Sequence, residues 1–322
     1  MADDFDKYLP KDTGLAGRKP TDVPKKSEPP VGVGNPFRLG IVGHGFVGSA
    51  VDYAFTNPLV EITIVDPKYG TTIDDLTQVD PHCVFVCAPT PMSENHTVDA
   101  SIVEDAVLKL MNHTNALVVV KSTITPDVID RLYNSMNDEA SNRFVYNPEF
   151  LTEKSAQEQF VDAKFHVVGG SDDATGELMQ IYDIFSLCST REFYRMSAHE
   201  ASFVKYGINT YLATKVTFFN QFYDLVNSYQ CSYNIITRAM GADSRVGIGH
   251  TRVPGYDGKR GFGGACFPKD IAAFLKFSEQ GSGGEVCFDM IKEVIRINND
   301  YRKHYEKDDR EKVNNITFGE DE

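Results

Sequence analysis

The sequence lacks any apolar run long enough to cross a membrane, and it lacks an N-terminal segment with the hydrophobic centre of a secretory signal. These absences predict a cytoplasmic protein with no membrane partner. Positive charge is also scarce, since 32 Lys and Arg stand against 46 Asp and Glu, for a formal net charge of -14. Such a balance argues against a nucleic-acid partner, so a phosphate ligand has to be captured by local loops and a few cations.

Cysteine is sparse and shows neither disulfide nor zinc spacing, so no metal site is predicted. Two cysteines share one predicted buried strand and are expected to pack as small apolar side chains. The six positions are Cys83, Cys87, Cys188, Cys231, Cys266 and Cys287.

Composition is that of a globular enzyme with room for two domains, at 322 residues, 41% hydrophobic and 24% charged. The two ends differ from the rest. Residues 1–36 combine many prolines with charges of both signs and little apolar periodicity, so they are predicted to be a disordered tail. Residues 309–322 are highly charged and are predicted to be a frayed C-terminal tail.

The first ordered pattern is that of a dinucleotide-binding βαβ unit. A predicted strand at residues 38–42 runs into Gly43-His44-Gly45-Phe46-Val47-Gly48, and a predicted helix follows at 49–55. The next strand, 61–65, ends in Asp66. In this context the glycines serve the tight turn, the approach of the pyrophosphate and helix packing, while Asp66 takes the ribose hydroxyls. The acid favours NAD over NADP, although Lys68 lies close by; the alternative is a glycine turn of another α/β protein.

Strands and helices then continue to alternate, as in a parallel sheet. This predicts an α/β fold whose first domain, residues 37–196, is a Rossmann-type doubly wound parallel sheet. Polar groups follow the strand ends, where open α/β sheets bind ligands. Helix-capping hydroxyls and solvent-facing glutamates are the alternatives for them. The predicted strands are 82–88, 116–121, 144–146, 165–168 and 191–194, with helices at 99–111 and 126–136. The strand-end candidates are Pro89, Thr90, Thr123, Glu149 and Glu153.

From residue 197 the pattern is helical only, which predicts an all-helical central domain over residues 197–308. A long helix at 197–229 carries Lys205 and Asn209 four residues apart on one face. A lysine facing the cleft could stabilise an oxyanion, whereas the alternative is a lysine that extends to the surface. Further helices are predicted at 232–240, 270–278 and 285–305.

The most informative stretch is Gly261-Phe262-Gly263-Gly264-Ala265-Cys266-Phe267-Pro268-Lys269-Asp270. Proline commonly opens a helix, so Cys266 is predicted to lie at a helix N-terminus from about Phe267. The helix dipole and Lys269 would then lower the pKa of the thiol and make it a nucleophile. Asp270 would lie one turn further along. The alternative is an ordinary glycine-rich turn with a half-buried cysteine.

In their order along the chain, these motifs resemble those of the nucleotide-sugar 6-dehydrogenases. The resemblance covers residues 38–305, and the Asn147-Pro148-Glu149-Phe150 form of one loop resembles the branches that act on UDP-glucose and GDP-mannose. It implies that Cys266 is the nucleophile, that Lys205, Asn209 and Asp270 surround the reacting carbon, and that Thr123, Glu149 and Glu153 handle water and protons. It further implies substrate contacts from Glu149, Phe150, Leu151, Lys205, Asn209, Gly261, Phe262, Gly263 and Gly264, and a homodimer through the central helices with Arg245 reaching the neighbouring subunit's substrate.

The reaction that the resemblance implies is the oxidation of a sugar C6 hydroxyl to a carboxylate by two NAD, through a cysteine thiohemiacetal and thioester. Such enzymes serve polysaccharide biosynthesis. Three departures stand out: a short segment at 67–81, a long loop at 245–261, and a charged tail where relatives have a second, nucleotide-gripping domain. The last of these predicts weak binding of the UDP-sugar. GDP-mannose as substrate, a one-hydride hydroxyacid-type dehydrogenase and an NAD-binding partner protein without turnover stay open.

Overall fold

A seven-stranded sheet forms the first half of the structure, a computed structural model that describes residues 36–151, 155–280 and 287–319. The strands are β1 (Phe37–Val42), β2 (Val60–Val65), β3 (Cys83–Val86), β4 (Leu117–Val120), β5 (Phe144–Tyr146), β6 (His166–Gly170) and β7 (Phe193–Met196). Their order across the sheet is β2-β1-β3-β4-β5-β6-β7. The predicted tail at residues 1–36 lies outside the described residues except for Pro36.

Helices flank the sheet and then follow it along the chain. Those of the first half are α1 (Phe46–Phe55), α2 (Ile73–Gln78), α3 (Ser101–His113), α4 (Pro126–Ser135), α5 (Asp138–Ser141), α6 (Ala156–Val161) and α7 (Asp172–Phe185), with a 3-10 turn at Pro67–Tyr69. Those of the second half are α8 (Ala198–Ser228), α9 (Tyr233–Gly241), α10 (Phe267–Gln280), α11 (Asp289–Arg302) and α12 (Asp309–Val313). None of the helices in the described ranges is long and apolar enough to cross a membrane.

Both faces of the sheet are buried, and the side-chain alternation of the strands builds a separate core on each face. On β3, Val84 and Val86 belong to one core while Cys83 and Phe85 belong to the other. Cys83 is thus a core residue, as its strand predicts. The α/β fold class predicted from the sequence is confirmed.

One strand pairing differs from the predicted parallel sheet. β5 and β6 run antiparallel, while every other neighbouring pair of the seven strands is parallel. The antiparallel ladder joins Val145 to Gly170 and Tyr146 to Gly169. Only the last residues of β6 pair with β5, at the carboxyl end of β5. β6 therefore begins beyond the carboxyl edge of the sheet, and the connection from β5 to β6 does not cross back over the sheet. The sheet is therefore mixed.

The helical half packs directly on the sheet. Ser197 caps the N-terminus of α8, where its hydroxyl and Glu200 form a reciprocal capping box. Further along α8, the Ser202 hydroxyl donates to the Ile124 carbonyl at 2.8 Å, and Tyr206 lies in the same core as strands β3 and β4. Phe37–Glu322 accordingly groups as one compact unit. The boundary between two domains at residue 196 stays a prediction.

Residues 308–319 are folded, whereas a frayed tail is predicted there; residues 320–322 lie outside the described residues. Residues 308–319, called the C-terminal strap below, contain α12 and turn back against the molecule. Ile316 and Phe318 are buried in a small apolar cluster with Met92, far away in sequence. The charged residues that suggested solvation lie on the outer side of α12, whereas its Glu311 is buried.

Candidate active site

The glycine loop after β1 has the geometry of a pyrophosphate cradle. Gly43 has a φ of 87°, and a Cβ there would lie 2.7 Å from the Cys87 carbonyl oxygen. A Cβ at Gly45 would meet nothing within 4 Å, whereas one at Gly48 would collide with the Gly43 carbonyl oxygen. The loop is thus closely packed at Gly43 and Gly48 and open at Gly45. The open side lies at the N-terminus of α1, where anions bind. The residues present fit a dinucleotide.

Asp66 stands at the end of β2 and holds the same loop. Its carboxylate accepts the amides of His44 at 2.7 Å and Lys68 at 2.9 Å. Burial raises the pKa of Asp66, but these two amides and the Lys68 charge outweigh it and lower the pKa below its ordinary value. The carboxylate is therefore ionised where the cofactor's ribose is expected. The Lys68 ammonium donates to the His44 carbonyl at 2.7 Å.

His44 belongs to the same loop, and the sequence pattern assigns it no role. Its ring contacts the Tyr69 hydroxyl at 3.0 Å and the Asp52 carboxylate at 3.1 Å. His44, between the first two glycines of the motif, is thus tied to both α1 and the turn after β2. The sequence feature that could have pointed to His44 is its position between two glycines of a predicted phosphate-binding loop.

The other predicted cofactor residues lie around the same edge of the sheet. Thr90 is buried in the loop after β3, and the half-buried Thr123 hydroxyl makes no hydrogen bond within the described ranges. The other predicted cofactor residues that the structure describes are Phe46 and Val47 in the first turn of α1 and exposed Pro89 beside Thr90, while Thr123 follows β4. Glu153 lies outside the described residues.

A buried ion pair joins the long helix to the loop after β5. The Lys205 ammonium on α8 donates to the Glu149 carbonyl at 2.5 Å and lies 3.2 Å from the Glu149 carboxylate. It also lies 5.4 Å from the centre of the Phe150 ring. Burial lowers the pKa of Lys205, but Glu149, Asp270 and Cys266 together raise it. Lys205 is therefore a cation at neutral pH.

A second polar cluster begins one helical turn further along α8. The Asn209 amide donates to the Asp270 carboxylate at 2.6 Å, and the Lys269 ammonium reaches the other carboxylate oxygen at 2.6 Å. All three side chains are buried. The structure thus brings together Asn209 and Asp270, as the sequence predicts, and adds Lys269 as a direct partner of the carboxylate.

Cys266 precedes α10, as predicted, and its carbonyl accepts the first helical hydrogen bond from Asp270 at 2.8 Å. The predicted effect on its thiol was wrong. Desolvation by the surrounding protein and the Asp270 charge raise the pKa of Cys266 to about 11, and Lys205 and Lys269 only partly offset this. The residue as a whole is still exposed to solvent. The site therefore holds an accessible thiol, not a resting thiolate.

Residues 261–266, called the cysteine loop below, take a backbone path that glycine permits. Gly261 and Gly264 have φ values of 70° and 78°. A Cβ on Gly263 would press on Arg302 and Glu311, and one on Gly261 would lie 2.5 Å from the Asn298 side chain. A Cβ on Gly264 would meet nothing within 4 Å. Phe262 is buried in a core with α8, α10 and α11.

Two arginines, Arg245 and Arg260, differ in their contacts. Arg245 pairs with Asp243 at 2.6 Å and is otherwise exposed, so its outer side can face another molecule. Arg260 is committed within its chain, donating to Asn220 and Asp224 and stacking 4.5 Å from the centre of the Tyr301 ring. Arg260 is therefore an unsuitable ligand for a substrate phosphate.

Models of two domains from one family match the sequence. The UDP-glucose/GDP-mannose dehydrogenase family, central domain, matches residues 199–300. The NAD binding domain of the same family matches residues 70–186, and together the ranges cover more than half of the chain. The chain belongs to the UDP-glucose/GDP-mannose dehydrogenase family. NAD is its cofactor, and the loop at residues 43–48 has the shape to hold it.

Similar proteins carry consistent names. A UDP-glucose 6-dehydrogenase of Rickettsia felis is 30% identical over 218 residues, which are 67% of this chain and 47% of that protein. One of Pseudomonas aeruginosa is 32% identical over 211 residues, 62% of this chain and 45% of that protein. The solved UDP-glucose dehydrogenase of the archaeon Pyrobaculum islandicum superposes with a TM-score of 0.67 at 26% identity, covering 84% of this chain and 70% of that one. The chain thus spans about half the length of the curated relatives it matches.

Proposed function

We propose that this member of the family oxidises the C6 hydroxyl of UDP-glucose to the carboxylate of UDP-glucuronate, using NAD and Cys266 as nucleophile. The observation that carries the proposal is a set of buried polar side chains at the start of α10, which Cys266 immediately precedes. Asn209 on α8 donates to Asp270 at 2.6 Å, Lys269 donates to the same carboxylate at 2.6 Å, and Lys205, one turn before Asn209, lies 3.2 Å from the Glu149 carboxylate. A thiol among charges of both signs suits chemistry in which protons leave and an oxyanion forms.

Cysteine chemistry accounts for a four-electron oxidation in one site. When bound, NAD accepts the hydride that leaves C6 in each of the two oxidation steps. Cys266 Sγ bonds to the aldehyde carbon formed by the first step, and the thiol proton passes to the aldehyde oxygen. Loss of hydride from carbon and of the hydroxyl proton then gives a thioester. Water adds to it, the carbon–sulfur bond breaks, the thiol regains a proton and the carboxylate leaves.

Lys205 is suited to hold the oxygen on the reacting carbon. Its raised pKa keeps the ammonium charged at neutral pH, and its fixed contacts with Glu149 pre-organise it. Asn209 can add a second donor from the same face of α8. The charges of Glu149 and Asp270 act on Cys266, so one of these carboxylates relays the thiol proton to the aldehyde oxygen and the other positions water, with Thr123 at the same edge of the sheet.

The raised pKa of Cys266 determines when the thiol loses its proton in this scheme. A thiol with a pKa of about 11 is almost entirely protonated at neutral pH. Proton removal therefore accompanies attack on the aldehyde and does not precede substrate binding. The resting site is accordingly protected from stray electrophiles, and the nucleophile is activated only beside its substrate.

A homodimer is part of the proposal. On α8, Tyr211, Phe218 and Leu225 recur every seven residues and are each more than half exposed. An apolar stripe of this kind on a long helix suits a second helix. In such a dimer the exposed Arg245 could reach the partner subunit's substrate. The Lys215 ammonium, which donates to the Val246 carbonyl at 2.7 Å, holds the loop beside Arg245 in place.

Counting NADH against sugar consumed tests the function. The protein is incubated with NAD and UDP-glucose, GDP-mannose, an N-acetylated UDP-sugar or a 3-hydroxy acid, each at high concentration. Two NADH per UDP-glucose is the expected result. Two per GDP-mannose would reassign the substrate, one per hydroxy acid would replace the proposal by a one-hydride reaction, and NAD binding without NADH would indicate a partner protein without turnover.

A further inference from the structure

The cysteine loop is held by side chains from outside it, one backbone position after another. Asn220 on α8 accepts the Gly261 amide at 3.0 Å. Asn298 on α11 clamps Phe262 from both sides, accepting its amide at 2.7 Å and donating to its carbonyl at 3.0 Å. Both clamps come from the central helices. They leave the last part of the loop, next to Cys266, to be held by something else.

That last clamp comes from the C-terminal strap. The Glu311 carboxylate accepts the Gly264 amide at 2.9 Å, two residues before Cys266. Its second oxygen accepts the Asp308 amide at 2.9 Å in the capping box of α12. Glu311 is 1% exposed. A glutamate of a charged chain end has no reason to be buried unless its carboxylate is used, because burying an unpaired charge is costly.

Arg302 ties this clamp to the beginning of the loop. Its guanidinium, 2% exposed, donates to Asp257 at 2.7 Å and to the Gly261 carbonyl at 3.4 Å, and lies 3.9 Å from the Glu311 carboxylate. Two of its nitrogens, Nε and Nη1, have no hydrogen-bond partner among the described residues. Removing the Glu311 charge would leave a buried cation with Asp257 as its remaining carboxylate, so the contact has to be kept intact.

The other end of the strap reaches the cofactor side. The Met92 amide donates to the Asn314 carbonyl at 3.3 Å, and the Asn315 side chain donates to the Met92 carbonyl at 3.2 Å. Ile316 and Phe318 bury Met92. Met92 follows the loop of Pro89 and Thr90, which is predicted to contact NAD. One segment of twelve residues thus touches both loops that must be aligned for hydride transfer.

We propose that the C-terminal strap fixes the cysteine loop relative to the cofactor loop, and that Glu311 is the positioning residue that acts through the Gly264 amide. A loop of three glycines has little stiffness of its own. Misplacement of a reacting group by about 1 Å can cost on the order of 100-fold in rate. The inference rests on the proposed function for its effect on turnover, but its effect on the thiol is independent of any substrate.

The test compares Glu311→Ala with Glu311→Gln, which keeps an acceptor for the Gly264 amide, and with exposed Glu306→Ala as matched control. Alkylation of Cys266 by iodoacetamide is followed by peptide mass spectrometry, with NAD affinity and thermal melting measured alongside. For Glu311→Ala we expect alkylation about fivefold faster or more, because a released loop loses the desolvation that protects the thiol. Glu311→Gln should fall between the parent and Glu311→Ala, because it keeps an acceptor for the Gly264 amide but removes the charge beside Arg302. Glu306→Ala should stay close to the parent.

Turnover supplies the second readout. In Glu311→Ala we expect kcat to fall by about tenfold or more with the KM for NAD nearly unchanged, and Glu311→Gln to restore part of it. A folded Glu311→Ala protein with parental alkylation would overturn the inference. If no variant forms NADH but alkylation still changes as expected, the proposed function is wrong, whereas the inference that the strap positions the cysteine loop stands.

A milder variant covers the case in which Glu311→Ala does not fold. Phe318→Ala removes an apolar contact near the end of the strap and keeps Glu311 in place. We expect it to speed deuterium exchange in the peptide that contains residues 261–266 and to speed alkylation of Cys266. Unchanged exchange in that peptide, with faster exchange confined to the strap, would show that the strap does not support the loop.

Discussion

At the scale of single residues, the Cys266 thiol shows how local charges can oppose a helix dipole. The position before α10 and the nearby Lys269 both favour a thiolate, and the sequence reading relied on them. In the folded protein, desolvation by neighbouring atoms and the Asp270 charge raise the pKa of the thiol, and these effects prevail. Asp270 is one helical turn away in sequence, and its carboxylate is held by Asn209 from another helix.

This reversal predicts an unusual pH profile for Cys266. Only the thiolate reacts with iodoacetamide, so the rate should rise about tenfold per pH unit from pH 7 to 9 without levelling off. A small-molecule thiol measured in parallel should level off above its pKa of about 8.5. The measurement is the alkylation rate of the Cys266 peptide. A plateau below pH 8 would restore the resting thiolate that the sequence suggested.

His166 on β6 predicts a second pH effect, on stability. It is buried among Tyr182, Phe193 and Phe160, its Nε2 has no partner in the described part of the chain, and burial lowers its pKa to about 3. Between its ordinary pKa near 6.5 and about 3, the unfolded chain binds a proton that the folded chain does not. The free energy of unfolding therefore falls as pH drops through this window.

Replacing His166 with Phe keeps a ring in the cluster and removes the titration. We expect the loss of unfolding free energy between pH 6.5 and 4 to be smaller by up to about 1.4 kcal/mol per pH unit. Urea denaturation at several pH values measures it, with exposed His113→Asn as control. Parallel curves for His166→Phe and the parent would show that other groups cause the acid sensitivity.

At the scale of elements, substitutions in the glycine loop and in α1 should distinguish effects on folding from effects on cofactor binding. Gly45→Ala places a methyl group in open space, so we expect parental thermal stability with NAD affinity weakened about tenfold or more, because the methyl group occupies the pyrophosphate approach. Gly48→Ala should destabilise the fold, since its Cβ meets the Gly43 carbonyl.

Gly176→Ala on α7 is the matched control, because a Cβ there also meets nothing within 4 Å. It should leave NAD affinity unchanged. Calorimetric NAD titration and thermal melting of the three variants decide the matter. Parental NAD affinity in Gly45→Ala would mean that the pyrophosphate lies elsewhere.

Elements with strong local signals could be predicted from the sequence, and elements that depend on distant contacts could not. α8, α10 and the strands of the first βαβ unit follow from periodicity, capping and glycine spacing. The sense of β6 was missed because it depends on where the connection from β5 emerges. The strap was missed because Glu311 and Phe318 reveal their burial only against Arg302, Gly264 and Met92.

At the scale of the whole molecule, the exposed stripe on α8 predicts association. Phe218→Glu places a charge in the middle of this stripe, between Tyr211 and Leu225. We expect the parent to sediment as a dimer and Phe218→Glu to shift to monomer, because a buried unpaired charge opposes the interface. Exposed Lys109→Glu on α3 is the control. A parent that sediments as a monomer at micromolar concentration would remove Arg245 from the shared site.

The sequence order of the motifs was enough to name the family, whereas the working state of its site required the structure. The resemblance predicts Lys205, Asn209 and Asp270 around the reacting carbon; the structure joins Asn209 to Asp270, and a role for the three residues at Cys266 stays a prediction. The commitment of Arg260 to Asn220 and Asp224, and the paired Lys269, could not be read from spacing. They depend on how α8, α10 and the long loop meet.

The central claim is a covalent bond between the sugar and Cys266. The direct measurement is acid quenching of the protein during turnover with NAD and sugar-labelled UDP-glucose, followed by mass analysis of the Cys266 peptide. The account predicts label on that peptide, two NADH per sugar released, and neither label nor complete oxidation in a folded, NAD-binding Cys266→Ala protein. Complete oxidation by Cys266→Ala at the parental rate would contradict it.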